Sequence, residues 1–103
     1  MLQDVNKDFV FENIEKKEGV YLLVFHALWC PPCRMFKESL TQLNEKDGIE
    51  VFRVNIDQEK DLAAEFRVQS IPAWFIFKNG KIVQQNQGYL PYPELKKVVS
   101  KFQ

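Results

Sequence analysis

The sequence contains few of the residues from which disulfide scaffolds and metal centres are built. Among 103 residues there are only two cysteines and one histidine. A disulfide scaffold needs several bridges between distant segments, and two cysteines separated by two residues cannot provide them. The small loop that such a pair closes constrains the unfolded chain little. The pair also supplies only two of the four ligands of a structural zinc site, so we expect no metal.

The sequence also lacks net charge and long apolar runs. Lys plus Arg and Asp plus Glu number 14 each, which argues against nucleic acid or an anionic membrane as the partner. The longest apolar run, residues 20–25, is far shorter than a membrane span. The N-terminus does not resemble a secretory signal. We therefore expect a single domain over residues 1–103, monomeric and cytoplasmic, or periplasmic or secreted if a leader has been removed.

Hydrophobic periodicity predicts alternating helices and strands. It indicates a helix over residues 7–17, with Phe11 as an uncertain member of its apolar face, a buried strand over 20–27 and a helix over 33–45. A second buried strand follows over 49–56, then a helix over 58–66 with Asp57 as its N-cap. Strands over 73–77 and 81–87 flank an Asn-Gly turn, and Pro93 opens a last helix. The predicted fold is α/β, with a βαβ half and a ββα half forming a mixed sheet flanked by helices on both faces.

The two cysteines lie where the first buried strand gives way to a helix. The N-terminus of a helix carries partial positive charge and unpaired N–H groups, which favour a thiolate over a thiol. In such Cys-X-X-Cys motifs the first cysteine has its pKa lowered from about 8.5 to roughly 3.5–7.5. We therefore predict that Cys30 attacks a partner's disulfide and that Cys33, which we expect to be less exposed, resolves the mixed disulfide.

Several motifs in order make the chain resemble the thioredoxin family over nearly its whole length. They are Trp-Cys-Pro-Pro-Cys at 29–33, Val-Asn-Ile-Asp at 54–57, Ser-Ile-Pro-Ala at 70–73, Phe-Lys-Asn-Gly-Lys at 77–81 and a glycine at 88. The resemblance implies the thioredoxin fold and disulfide exchange without a bound cofactor. It also implies that Pro72 follows a cis peptide bond next to the cysteines. The positions it places at the substrate-binding surface are Trp29, Pro31, Pro32, Ile71, Pro72, Ala73, Gly88 and Tyr89.

The sequence departs from the family pattern around the cysteines. Val24 stands where the family often has a buried aspartate that handles the proton of the second cysteine. His26 should point to the same face of the strand and is a candidate proton carrier titrating near neutral pH, although simple packing of this histidine is an equal alternative. Arg53 stands where the family has the lysine that partners the aspartate, so it lacks that mate and we expect it to pack or to reach solvent. Two prolines between the cysteines leave the Cys33 amide as the first N–H available to the Cys30 sulfur.

The interpretation that combines these features is a general protein-disulfide reductase. Its partners would be disulfide-containing proteins and a thioredoxin-reductase-like or other dithiol donor. Cys-Pro-Pro-Cys also occurs in related envelope proteins that reduce haem-attachment cysteines, so an envelope reductase or isomerase is one alternative. A docking module in which redox activity is incidental is the other.

Overall fold

The computed structural model describes all 103 residues, which form one mixed sheet between two pairs of helices. In chain order the elements are β1 (Gln3–Asp4), α1 (Lys7–Asn13), β2 (Val20–His26), α2 (Pro31–Asp47), β3 (Glu50–Asn55), α3 (Lys60–Glu65), β4 (Ala73–Lys78), β5 (Lys81–Gln87) and α4 (Tyr92–Ser100). The sheet order is β1-β3-β2-β4-β5. The predicted fold class is confirmed.

The strand pairing follows the two predicted halves. β2 and β3 are parallel neighbours, and β4 is antiparallel to both β2 and β5. The turn between β4 and β5 consists of Asn79 and Gly80, with φ values of 52° and 85°. A two-residue hairpin turn that matches the twist of its strands requires positive φ at both central residues. Asn and Gly adopt this conformation with little steric strain.

The alternation of side chains along β2 divides the core between the two faces of the sheet. Tyr21, Leu23 and Phe25 join the core under α1 and α3. Leu22 and Val24 join the core under α2 and α4. All five side chains are almost wholly buried, which explains why the strand is apolar at nearly every position.

Three predicted details of the elements are wrong. α1 ends at Asn13, followed by turns, and Phe11 on it is exposed. α3 begins at Lys60, because Asp57 lies in a turn closed by the Asn55 side chain, which accepts the Asp57 N–H at 2.9 Å. Pro93 is the second helical residue of α4, after Pro91 as N-cap.

The first strand, β1, was not predicted. Gln3 and Asp4 pair in parallel with Phe52 and Arg53, which places β1 at the edge of the sheet beyond β3. Two residues are too few for a period of two to be recognised in the sequence. This strand matters for the site because it brings a carboxylate to Arg53.

Candidate functional site

The cysteine pair lies at the point where β2 passes into α2. Cys30 is the N-cap of α2, with φ −92° and ψ 111°, and Pro31 and Pro32 form the first helical positions. The Cys30 Sγ accepts a hydrogen bond from the Cys33 backbone N–H at 3.3 Å. This is the first N–H that the two prolines leave available, as the sequence predicted.

The two sulfurs form a disulfide, with the Cα atoms 5.2 Å apart. No acidic side chain lies in the first turn of α2. The positive end of the helix is therefore not neutralised locally, and it favours negative charge on the Cys30 sulfur. This arrangement is suited to a cysteine that becomes a thiolate when the disulfide is reduced.

Both cysteines are buried in the oxidised protein, which corrects the prediction that Cys30 is the more exposed one. Cys30 is 3% exposed and Cys33 is 5% exposed. Cys30 is buried, contrary to the prediction, because it packs against the loop before β4, where its Sγ lies 3.9 Å from the Ile71 carbonyl oxygen. A partner must therefore reach the sulfur between the side chains that surround it.

Two of the residues that the resemblance assigned to substrate binding, Ile71 and Pro72, lie in the loop before β4, and a third, Ala73, begins that strand. The Ile71–Pro72 peptide bond is cis, as the resemblance implied. The Pro72 carbonyl accepts the Gly88 N–H at 2.7 Å, which ties this loop to the end of β5. Ala73 is only 6% exposed and belongs to the core, so its side chain offers little contact surface.

The rim beside the buried disulfide is apolar: it includes Ile71, which packs against the cysteines, and Trp29, which precedes Cys30 in the chain. Trp29 is 64% exposed and Tyr89 is 37% exposed, so neither aromatic side chain is buried in the core. The Trp29 indole N–H donates to the Asp57 carboxylate at 2.8 Å, which fixes the ring beside Cys30. Asp57 was predicted as a helix cap, and its contact with Trp29 had no signal in the sequence because the two residues belong to different loops.

His26 lies on the α2 side of the sheet, at the end of β2. It is 6% exposed and lines a cleft together with Cys33. Burial, and next the positive charge of Arg53, lower the pKa of the imidazole from 6.5 to about 4. The prediction that His26 points to the same face of β2 as Val24 is confirmed, but the expected titration near neutral pH is wrong, because burial of the ring disfavours its charged form.

Arg53 lacks the family's aspartate mate, as expected, and is packed rather than solvent-exposed, but it has another acidic partner. Its Nε and Nη2 atoms both lie 3.0 Å from Oδ1 of Asp4, on β1. The Arg53 side chain is 9% exposed and that of Asp4 is 71% exposed, so the pair lies at the rim of the sheet. Val24, which replaces the expected aspartate, is 1% exposed and packs in the core.

No group of three or more His, Cys, Asp and Glu side chains lies close enough together to hold a metal ion. In addition, no helix has the length and apolar character that crossing a bilayer would require.

Comparison with known proteins gives the same family throughout. The family model described as Thioredoxin matches residues 2–101. The thioredoxin of Listeria monocytogenes is 36% identical over 97 residues, which cover 92% of this chain and 93% of that protein. Thioredoxin 1 of Chlorobaculum tepidum is 40% identical over 90 residues, covering 85% and 89%. A crystal structure of a chloroplastic thioredoxin z has a TM-score of 0.90 at 23% identity, covering 98% of this chain and 93% of its own, and this likeness concerns the fold alone.

Proposed function

This chain belongs to the thioredoxin family and is a thiol-disulfide oxidoreductase, and we propose that it acts as a general protein-disulfide reductase. Cys30 is the nucleophile and Cys33 the resolving cysteine. The observation that carries this assignment is the position of the Cys30 sulfur at the N-cap of α2, where it accepts the Cys33 N–H at 3.3 Å.

The reaction begins from the reduced pair. The Cys30 thiolate attacks one sulfur of a substrate disulfide, forms a mixed disulfide and releases the other substrate sulfur as a thiolate. Cys33 then loses its proton and attacks the Cys30 sulfur, which releases the reduced substrate and leaves the Cys30–Cys33 disulfide. Two electrons have passed from the pair to the substrate, and no bound cofactor takes part.

The assignment of Cys33 as the resolving cysteine follows from the helix. Cys33 is in the first turn of α2 and its own N–H points to the Cys30 sulfur, so the charge of the helix end acts chiefly on Cys30. The Cα separation of 5.2 Å allows the disulfide to form without moving the backbone. Cys33 therefore lies within reach of the mixed disulfide.

The substrate surface in this proposal is the rim around the disulfide. Exposed Trp29 and the Pro31-Pro32 edge lie on one side, and the backbone of Ile71 before Pro72 lies on the other. Because Pro72 has no N–H and lies buried directly before β4, the preceding backbone groups remain available to an extended substrate chain. Gly88 has no side chain to obstruct that approach at the end of β5.

We place the protein in the cytoplasm, with disulfide-containing proteins as substrates and a thioredoxin-reductase-like or other dithiol donor as the source of electrons. The even charge balance and the apolar rim support partners that are proteins rather than nucleic acid. His26 lines the same cleft as Cys33, but with a pKa of about 4 its imidazole is too weak a base to take the Cys33 proton at neutral pH, so we assign that proton to a water in the cleft.

Insulin reduction with a dithiol donor tests the assignment. Cys30→Ser should abolish turnover, and Cys33→Ser should abolish it while still permitting the first attack. Ala27→Ser is not a clean control because Ala27 is buried. The half-buried Thr41, outside the pair, gives a better one as Thr41→Ser. Turnover retained by Cys30→Ser would refute the mechanism.

A redox titration against glutathione tests the direction. A reduction potential near about −270 mV supports a reductase, whereas a value near about −120 mV identifies an oxidant and overturns the proposal. If the protein is a docking module instead of a reductase, Cys30→Ser would leave its cellular role intact.

A further inference from the structure

Two adjoining clefts lie on the Cys33 side of the disulfide, and both are lined by His26, Leu28 and Arg53. The one that reaches Cys33 has a volume of about 250 Å³, and its neighbour has about 330 Å³. The first is lined by Cys33, by the neutral imidazole of His26 and by three cationic side chains, with no acidic one; the cations are Arg34, Lys37 and Arg53. A partner for this cleft should therefore be an anion.

The positive charge of the cleft is only partly compensated within the chain. Asp4, in the neighbouring cleft, pairs with Arg53 through Nε and Nη2, which leaves Nη1 of that guanidinium free of this contact. Arg34 uses one N–H on the Leu28 carbonyl, at 3.0 Å. Lys37 takes part in none of the salt bridges of the structure. The cleft therefore contains cationic side chains whose charge is not fully neutralised and whose N–H groups are available to bind a ligand.

His26 supplies a second and independent sign of a ligand. Its imidazole is buried, and its ring nitrogens take part in no hydrogen bond within the protein. The structure contains no side-chain nitrogen or oxygen that is sealed from solvent without a hydrogen-bond partner. The ring nitrogens of His26 must therefore open into the cleft, where a donor or acceptor is available to whatever enters.

We propose that this cleft binds the carboxylate of a low-molecular-weight thiol, so that small carboxylate-bearing disulfides are a second substrate class. The inference rests on the proposed exchange chemistry of the cysteines and specifies a substrate for it. The clefts are of small-molecule rather than protein size. A carboxylate one or two residues from a cysteine sulfur lies about 7 Å from it in an extended chain. The Cα atom of Cys30 lies 5.2 Å from that of Cys33, so a ligand whose carboxylate is held beside Cys33 has its own sulfur within reach of Cys30.

The reaction balances without a further reactant. The Cys30 thiolate attacks one sulfur of the small disulfide RS–SR, forming Cys30–SR and releasing RS⁻, which takes up a proton from water. The deprotonated Cys33 then attacks the Cys30 sulfur and releases the second RS⁻. One disulfide is reduced to two thiols and the cysteine pair is oxidised; the reverse sequence reduces the pair with two small thiols.

The test compares two small disulfides that differ in charge. Glutathione disulfide carries carboxylates, and bis(2-hydroxyethyl) disulfide carries none. Lys37→Gln should lower kcat/KM for glutathione disulfide about five- to tenfold, as expected when one charge-assisted contact is lost. It should change kcat/KM for the uncharged disulfide, and for insulin, less than twofold. Lys101→Gln, the same charge change at the far end of the exposed C-terminus, is the matched control.

A second measurement examines binding without chemistry. S-methylglutathione cannot exchange disulfides, and it should shift the ring resonances of His26, the only histidine in the chain, in the oxidised protein. Lys37→Gln should weaken this binding by the same factor. An equal loss on both small disulfides, no loss on glutathione disulfide, or an equal effect of Lys101→Gln would overturn the proposal. A protein that exchanges with glutathione disulfide but does not reduce insulin would instead contradict the proposed protein-disulfide reductase activity alone.

Discussion

Replacing His26 should remove a large part of the pH dependence of stability between neutral and mildly acidic pH. The pKa of this imidazole is about 4 in the folded protein, below its ordinary value of 6.5. Above pH 6.5 the ring is neutral in both the folded and the unfolded states, and it imposes no pH dependence. As the pH falls from 6.5 towards 4, the unfolded chain binds a proton that the folded protein resists, so stability is lost.

The size of the effect follows from the shift in pKa. A difference of roughly 2.5 units corresponds to about 3.5 kcal/mol at about 1.4 kcal/mol per unit. Because the ring nitrogens open into a cleft that water reaches, we reduce the expected loss at pH 4.5 to about 2 kcal/mol. Asp47 also has its pKa lowered from 3.8, by its hydrogen bond from Tyr92 first, but its contribution is lost only at still lower pH.

Urea unfolding of the oxidised protein at pH 7 and pH 4.5 measures this loss. His26→Asn cannot titrate, and the free energy of unfolding should fall about 2 kcal/mol less for this variant than for the unmodified protein over the same interval. His26→Phe provides a second non-titrating variant with different packing. The comparison uses the change with pH, so a constant packing cost in either variant cancels. Equal pH dependence in all three proteins would refute the reasoning.

Two further predictions concern the supports of the fold. Asp4→Asn removes the charged partner of the buried Arg53 guanidinium and should lower the free energy of unfolding by about 1 to 2 kcal/mol, less than for a fully buried pair because Asp4 is exposed. Because the Asp4 carboxylate raises the pKa of His26, an NMR titration of this variant should give a still lower pKa, and an unchanged value would contradict that coupling. Gly80→Ala should destabilise more than Gly19→Ala in thermal unfolding, since both glycines have positive φ but only at Gly80 would a Cβ overlap the Glu15 backbone. Equal losses of stability in the two variants would show that the positive φ alone determines the cost, and not the overlap with Glu15.

Most of the fold was predictable because its signals are local. The apolar run of β2, the helical spacing after it and the Asn-Gly pair each determine one element from a few neighbouring residues. The position of Cys30 at the N-cap followed from the junction of two such elements. Where a pattern of period two or 3.6 extends over several residues, the sequence is sufficient.

The features that were missed depend on residues distant in the chain. Asp4 reaches Arg53 only because β1 pairs with β3, across 49 positions. Aspartate is a residue type that often caps helices, yet the Asp57 carboxylate accepts a hydrogen bond from Trp29. The low pKa of His26 results from burial under α2 and from the charge of Arg53. None of these contacts leaves a periodic signal in the sequence.

The central claim is that Cys30 attacks and Cys33 resolves. It is tested most directly by incubating the reduced Cys33→Ser and Cys30→Ser variants with a disulfide-containing protein and identifying the products by mass spectrometry. We expect Cys33→Ser to accumulate a mixed disulfide through Cys30, because the cysteine that would release it is absent, and we expect Cys30→Ser to accumulate almost none. Accumulation through Cys33 in the Cys30→Ser variant at a comparable rate would contradict the account.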